Sequence, residues 1–390
     1  MGALLTIPKT KKYNETGHGN SLRYGISSMQ GWRMTMEDAH CAITQLPGNL
    51  KDWSFFAVFD GHAGALVSAL CATELLKFRL MVRLQCIVDT EEFKKVDPDL
   101  GPSLPEIERG IRDGFLSLDE RLRQLPQLAS GEDKSGSTAV CVLITPKHIF
   151  FANCGDSRAV LIREGQVAFA TVDHKPINPS EKQRIQNAGG SVIIERVNGS
   201  LAVSRSLGDY AYKTAKGLGP TEQLISPEPE ITVLDRDKAL DEIIVLACDG
   251  IWDVLSSDAL CSLLQHRMRC TDDLSVVCNE TIDMCLYKGS SDNMSIVLVA
   301  FDPAPRADPK CKAEDEKLEE VLLQRAKDFI DKSKGDVTTN MVLNHLQTFT
   351  EPEMPPFLLS CKGDKIRKLI DAYSRTDDGN GDSNYVANIE

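Results

Sequence analysis

Four aspartates lie at the ends of apolar runs, far apart along the chain. Asp60 ends Phe55-Phe56-Ala57-Val58-Phe59, and Asp249 ends Ile243-Ile244-Val245-Leu246-Ala247-Cys248. Asp156 follows Ile149-Phe150-Phe151-Ala152-Asn153-Cys154-Gly155, and Asp292 precedes Met294-Ser295-Ile296-Val297-Leu298-Val299. Runs of this kind read as buried strands, which places each carboxylate at a strand end. With Glu37, Asp38 and Asp253, a sheet could gather six or more carboxylates at one rim. Such a group repels itself unless cations hold it together. A hard divalent ion on oxygen ligands, facing a phosphate, is the expected occupant.

The rest of the composition narrows the partners. A net charge of −13 over 390 residues argues against nucleic acid, whose phosphates need a basic face. No apolar run is long enough to span a membrane, and no cleavable signal peptide is expected. The 12 cysteines are scattered, with no Cys-x-x-Cys pair, so reduced buried thiols in a cytosolic protein are expected in place of disulfides or a zinc site. Met1-Gly2-Ala3-Leu4-Leu5-Thr6 fits N-myristoylation at Gly2. One acyl chain binds membranes only marginally; Lys9, Lys11 and Lys12 could add an electrostatic signal.

Along the chain, residues 1–20 read as polar and extended, and 21–62 as strands with a loop around Gly31 to Thr35. Ala65–Arg83 reads as a helix and Asp89–Leu104, with three prolines near it, as a loop. Ile107, Ile111, Phe115, Leu118 and Leu122 recur at helical spacing in Glu106–Leu125. Thr138–Thr145 and His148–Asn153 pair across Pro146-Lys147, and Ala159–Arg163 pairs with Gln166–Thr171 across Glu164-Gly165. Ser180–Ala188, Asp258–Met268 and Leu274–Tyr287 read as helices, and Ile231–Leu234, Glu242–Cys248 and Ser295–Phe301 as strands. Strands that arrive as hairpins, with helices in pairs, imply antiparallel sheets with helices outside. After Phe301, a proline-rich break separates residues 21–302 from a helical extension over 303–375, followed by a polar tail at 376–390.

The chemistry-bearing residues each have a plainer reading. Asp60-Gly61 alone is a common turn, but Asp249-Gly250 repeats the arrangement of apolar strand, aspartate and glycine. Glycine there would let backbone approach an ion closely. Asp249 and Asp253 share a face if a helical turn starts at Asp249; the alternative is a simple N-cap. Trp252 reads as core. Arg33 beside such a cluster is a candidate phosphate clamp, because its planar fork matches two phosphate oxygens. His62, two residues after Asp60, could protonate a leaving alkoxide.

Seven segments occur in order along the chain: Arg33-Met34-Thr35-Met36-Glu37-Asp38, Phe59-Asp60-Gly61-His62-Ala63-Gly64, Ser135-Gly136-Ser137-Thr138-Ala139, Asn153-Cys154-Gly155-Asp156-Ser157-Arg158, Leu201-Ala202-Val203-Ser204-Arg205-Ser206-Leu207-Gly208-Asp209, Cys248-Asp249-Gly250-Ile251-Trp252-Asp253 and Asp292-Asn293-Met294-Ser295. In this order they resemble the metal-dependent protein serine/threonine phosphatases of the 2C type, over residues 20–301. The Met-Gly-Ala start, Ser28-Met29-Gln30-Gly31-Trp32 and the C-terminal helices resemble the animal alpha/beta subgroup.

The resemblance implies an α+β fold of four αββα layers: a central sandwich of two antiparallel sheets flanked by helix pairs, plus a C-terminal helical extension. It implies that Asp60 bridges two Mn²⁺ or Mg²⁺ ions, with the Gly61 carbonyl, Asp249 and Asp292 as further ligands. Glu37 and Asp38 would contact the second ion largely through water, and Asp156 and Asp253 a weaker third. Arg33 would grip the phosphate, His62 would be the general acid, and Arg196 would belong to a flap beside the cleft. The expected reaction is hydrolysis of phosphoserine and phosphothreonine by ion-activated water, without a covalent intermediate. The expected protein is a monomer acting on phosphorylated proteins, cytoplasmic with peripheral membrane contact through myristate, and with the nucleus also open to it. The alternatives are another metal-dependent phosphoesterase, and a catalytically impaired regulator that binds phosphoproteins.

Overall fold

The computed structural model describes residues 4–76, 103–333, 337–349 and 358–377. The chain divides into two compact units, Met1–Ala307 and Asp308–Glu390.

The first unit is built on two antiparallel sheets. One contains β1 (Leu4–Gly19), β2 (Leu22–Arg33), β9 (Arg158–Arg163), β10 (Gln166–Ala170), β15 (Asp241–Ala247) and β16 (Met294–Ala300), in the order β1-β2-β16-β15-β9-β10. The other contains β3 (Ala39–Ile43), β4 (Ser54–Phe59), β7 (Ala139–Ile144), β8 (His148–Cys154) and β14 (Glu230–Asp235), in the order β14-β8-β7-β4-β3. Short pairs β5 (Gly61–His62), β6 (Gly136–Ser137) and β13 (Leu207–Gly208) form a small third sheet beside them, and β11 (Val192–Ile193) pairs with β12 (Arg196–Val197).

Side-chain alternation sets the layers. Phe56 and Val58 of β4 share a buried cluster with Ile26, Leu161, Ile244, Leu246, Val297 and Val299 of the first sheet. Their neighbours Phe55, Ala57 and Phe59 point the other way, onto a cluster with Val67 and Cys71 of α1 (Leu66–Glu74) and Ile111, Phe115 and Leu118 of α2 (Leu104–Arg123). A strand with both faces buried reads as an unbroken apolar run, as β4 does. A short helix, α3 (Pro126–Ser130), follows α2, and α4 (Pro179–Asn187) stands in the segment before β11.

The outer face of the first sheet is covered by α6 (Ser257–Cys270) and α7 (Leu274–Tyr287), after the single turn α5 (Asp249–Trp252). Close approach there demands Gly25: a Cβ would lie 2.6 Å from the Leu274 backbone. The Ser27 hydroxyl donates to Asn279 Oδ1 at 2.7 Å, and buried Arg267 of α6 meets Glu280 of α7 at 2.6 Å. The layers are therefore helices, sheet, sheet and helices, as the hairpins and the family resemblance imply.

The expected helix over Ala65–Arg83 is seen as α1 to Glu74; its C-terminal part, and nearly all of the Asp89–Leu104 loop, lie outside the described residues. The polar residues 4–19 are not merely extended: they form the edge strand β1, paired along β2 from Leu4↔Arg33 to Gly19↔Leu22.

The second unit is helical: α8 (Pro309–Lys332), α9 (Thr339–Leu346), α10 (Leu358–Cys361) and α11 (Gly363–Asp377). Leu322, Ala326, Val342, Leu346, Leu358 and Ile366 are buried in it. Lys362, almost wholly buried, is held between Asp315 (3.2 Å) and Glu319 (2.8 Å). Helix α11 takes in Thr376 and Asp377, where a polar tail was expected to begin; residues 378–390 lie outside the described residues.

Because Phe56 is fully buried between the sheets, Phe56→Ala should cost about 3–5 kcal/mol in urea unfolding. A loss below about 1 kcal/mol would contradict a close-packed inter-sheet core.

Candidate active site

Register brings the acidic residues together. β2 ends where antiparallel β16 begins (Met29↔Met294), and β15 ends beside the starts of β16 and β9 (Ala247↔Ile296, Ala247↔Arg158). In the other sheet, β4 ends beside the start of β7 and the end of β8 (Val58↔Val140, Ala139↔Cys154). Arg33, Asp60, Asp156, Asp249 and Asp292 thus leave both sheets at one rim. They line a cavity of about 630 Å³ with Glu37, Gly61, His62, Lys175, Arg196, Asp253 and Asn293. Every residue expected at the site lines this cavity except Asp38, whose carboxylate lies close to that of Asp60, and Gly2, which lies outside the described residues.

Asp38, Asp60 and Cys248 offer ligand atoms within 4.8 Å of one another. Asp38 Oδ2 accepts from the Ser295 hydroxyl at 2.7 Å, whereas its Oδ1 is buried without a hydrogen-bond partner. Burial raises the Asp38 pKa to about 6, with neighbouring Asp292 and Glu37 adding to the effect. Burial also pushes Asp60 and Asp249 well above the usual carboxylate range, reinforced in both by the surrounding aspartates. Asp253 is raised by burial against the pull of Lys175. In the absence of cations the cluster therefore resists full ionisation, while an orphan carboxylate oxygen on its floor is ready to accept one. Oxygen donors in this number fit Mn²⁺ or Mg²⁺. The Cys248 thiol is poorly suited to such a hard ion: burial raises its pKa far above normal, and its sulfur accepts from the Ser295 N–H at 3.1 Å.

The two Asp-Gly pairs have a packing cause that their sequence does not show. A Cβ on Gly61 would come within 2.2 Å of the Glu37 carbonyl, and one on Gly250 within 2.0 Å of the Asn293 carbonyl. Glycine admits the loops that carry Glu37 and Asp292. Asn293 then fixes both: its Nδ2 donates to the carbonyls of Gln30 (2.9 Å) and Thr35 (3.0 Å), and its Oδ1 accepts from the Glu37 N–H (2.9 Å). Asp249 opens α5, and the Asp253 N–H donates back to its carbonyl at 2.8 Å, so the two carboxylates are carried by one turn. Trp252 is core, as expected, with its ring N–H on the Ala247 carbonyl at 2.8 Å.

Cations already present divide the cluster. The Arg33 guanidinium pairs with Asp292; burial opposes its charge, but Asp292, Asp249 and Asp60 outweigh that and raise its pKa. Lys175 Nζ donates to buried Asp156 at 2.5 Å. His62 Nε2 lies 2.7 Å from Asp209 Oδ2. Burial disfavours the imidazolium, but Asp209 more than compensates and raises the His62 pKa. Asp209 also accepts from the Ser206 hydroxyl at 2.5 Å and has a left-handed backbone, with φ of 51°. Sequence reasoning missed Lys175, Asn293 and Asp209 as individual site residues. Asp209 and Asn293 had a signal, because each lies in one of the ordered segments; Lys175 stands only at the start of the segment around 175–215 that resembles the flap. Arg196 lies on the β11–β12 hairpin and donates to the Ser200 carbonyl at 2.8 Å.

Comparison with known proteins shows the family to which the chain belongs. A family model for protein phosphatase 2C matches residues 22–294, and one for the protein serine/threonine phosphatase 2C C-terminal domain matches 295–371. The chain belongs to the protein phosphatase 2C family and is a protein serine/threonine phosphatase. Bos taurus protein phosphatase 1B is 53% identical over 361 residues, covering 91% of this chain and 73% of the relative. Homo sapiens protein phosphatase 1A is 50% identical over 358 residues, covering 91% of each. Among solved structures, a Toxoplasma gondii phosphatase superposes with a TM-score of 0.60 at 26% identity, over 75% of this chain and 96% of its own. A C. elegans sex-determining protein gives a TM-score of 0.60 at 29% identity, over 74% of this chain and 66% of its own.

The raised carboxylate pKa values fix the sign of a pH effect on protein stripped of metal. The folded state binds protons more tightly than the unfolded, so these groups stabilise it below their unfolded pKa near 4, and that contribution is lost as pH rises through about 6 for Asp38. In chelator, stability should fall by roughly 1–3 kcal/mol between pH 4.5 and pH 7 from Asp38 alone, with Asp60 and Asp249 adding to the fall. Asp60→Asn should flatten the slope. An unchanged slope in the variant would show that the cluster is not self-repelling.

Proposed function

We propose that the rim cavity hydrolyses phosphoserine and phosphothreonine on proteins with two divalent cations, Mn²⁺ or Mg²⁺, held by Asp60, Asp249, Asp292 and the Gly61 carbonyl. Glu37 and Asp38 would reach the second ion largely through water, and Asp156 and Asp253 would hold a weaker third. The observation that carries this reading is the crowding of buried Asp60 and Asp249 among other carboxylates, with Asp38 Oδ1 left unpartnered. Bound ions supply the positive charge that acidifies water and offsets the phosphoryl oxygens.

The chain's own groups do the rest. Arg33, oriented by Asp292, presents its fork to two phosphoryl oxygens and holds phosphorus in line. His62, with Nε2 occupied by Asp209, keeps Nδ1 to deliver a proton to the departing serine or threonine oxygen. An alkoxide is a poor leaving group, so this proton matters more for alkyl than for aryl phosphates. The β11–β12 hairpin carries Arg196 to the cavity wall, where it would meet the substrate protein. Lys175 neutralises Asp156 and so favours a weak third ion over a tight one.

Membrane contact through an acyl chain on Gly2 remains part of this reading, with a change in its electrostatic partner. Lys12 is committed to Asp283 at 2.6 Å and is largely buried, which leaves exposed Lys9 and Lys11 to face an anionic surface.

Asp60→Asn or Asp249→Asn should reduce turnover of a phosphothreonine peptide by at least about 10³-fold while thermal unfolding with chelator stays cooperative. Wild-type activity should vanish in chelator and return with Mn²⁺. Normal turnover in either variant would refute the assignment. His62→Gln should slow a phosphoserine peptide by about 10²-fold and p-nitrophenyl phosphate far less. Equal losses on both substrates would remove His62 from the proton-donor role.

A further inference from the structure

A second cavity, of about 760 Å³, opens beside the catalytic one and shares His62, Ala63 and Leu201 with it. Leu128 and Ala129 of α3, with Tyr210, Ala211 and Tyr212, give it a mainly apolar and aromatic wall, and Arg123, Lys134 and Asp209 are the charged residues that also line it. The walls are preformed. Tyr210 is pinned by its hydroxyl, which donates to the Asp119 carbonyl at 2.7 Å, and by Arg123 and Lys213, whose charged groups lie 5.5 and 5.4 Å from its ring centroid. Leu128 is buried at the floor, whereas Ala129 and Ala211 are exposed.

The cations nearby do not turn this into an anion site. The Arg123 guanidinium donates to the Lys213 carbonyl at 2.7 Å, and buried Lys213 Nζ is paired with Asp119 at 2.8 Å. Lys134 alone stands exposed at the edge.

We propose that this groove is a substrate subsite that takes an aliphatic or aromatic side chain within about three residues of the phosphorylated one. The inference rests on the phosphoryl group lying in the Arg33 pocket. A chain so anchored passes His62, and one extended residue advances it by roughly 3.3 Å, so a near neighbour reaches the groove. Burying an apolar side chain there is favourable, whereas an aspartate would lose its hydration beside the Asp209 carboxylate, with Lys134 only at the exposed edge. The substrates selected are therefore phosphopeptides with an apolar flank, and the preference comes from α3 and the Tyr210 turn, not from the metal-binding rim.

The test is a set of phosphothreonine peptides in which Leu, Phe, Gly or Asp is placed in turn at each of the three positions on either side. With Mn²⁺, wild-type kcat/KM should be about tenfold higher for Leu or Phe than for Gly or Asp at one or two positions on a single side, mostly through KM. Ala129→Trp, which fills the groove, and Ala129→Glu, which charges it, should cut that preference below about twofold while turnover of p-nitrophenyl phosphate is unchanged. A flat scan with wild-type enzyme, or a preference intact in both variants, overturns the proposal. Failure of the pocket assignment would look different: Arg33→Ala would then turn over every peptide normally, whatever its flank.

Discussion

Repulsion among carboxylates that the fold has no freedom to separate is the constraint on which the rest of this structure depends. Asp60, Asp156, Asp249 and Asp292 are fixed by strand ends, and strand ends are fixed by the packing of two sheets. Relaxing the cluster would mean moving a strand, and burial in the sandwich forbids that. The protein is left with two ways to lower the energy: hold protons, as the raised Asp60 and Asp249 pKa values show, or hold cations. Arg33 and Lys175 are partial answers built into the chain. Divalent ions would complete the neutralisation and bring the chemistry with them.

The scaffold serves that end through close backbone approach. Gly61 and Gly250 admit the Glu37 and Asn293 carbonyls, and Asn293 ties the Asp292 loop to the Glu37 loop with two hydrogen bonds and to Gln30 of β2 with a third. The site is thus held by main chain as much as by side chains. A site of this kind changes little on binding, which suits electrostatic stabilisation by preorganised charge. Other elements line its surroundings: the Arg196 hairpin at the catalytic cavity, and α3 with the Tyr210 turn at the second cavity.

Much of this was legible in the sequence because burial on both faces writes an unmistakable pattern. The run Phe55–Phe59 reads as a buried strand, and the aspartate at its end as part of a rim. The helices α2, α6 and α7 showed their apolar faces. What the sequence could not show were contacts that exist only after folding. Nothing local marks Lys175 as the partner of Asp156, 19 residues away, or Asp209 as the partner of His62, 147 residues away. In the sequence the Asp-Gly pairs read as room for an ion, whereas in the fold they also make room for a neighbouring loop. Residues 4–19 lack an apolar pattern because β1 is an edge strand, half in solvent, and so they read as merely extended.

The most direct test is a calorimetric titration of Mn²⁺ into metal-free protein, repeated in buffers of different ionisation enthalpy. If crowded carboxylates hold protons that cations replace, binding will release protons, more at pH 5.5 than at pH 8, and Asp60→Asn will lose the tight phase. Binding that releases no protons at either pH, or that is as tight in Asp60→Asn as in the wild type, would contradict the account.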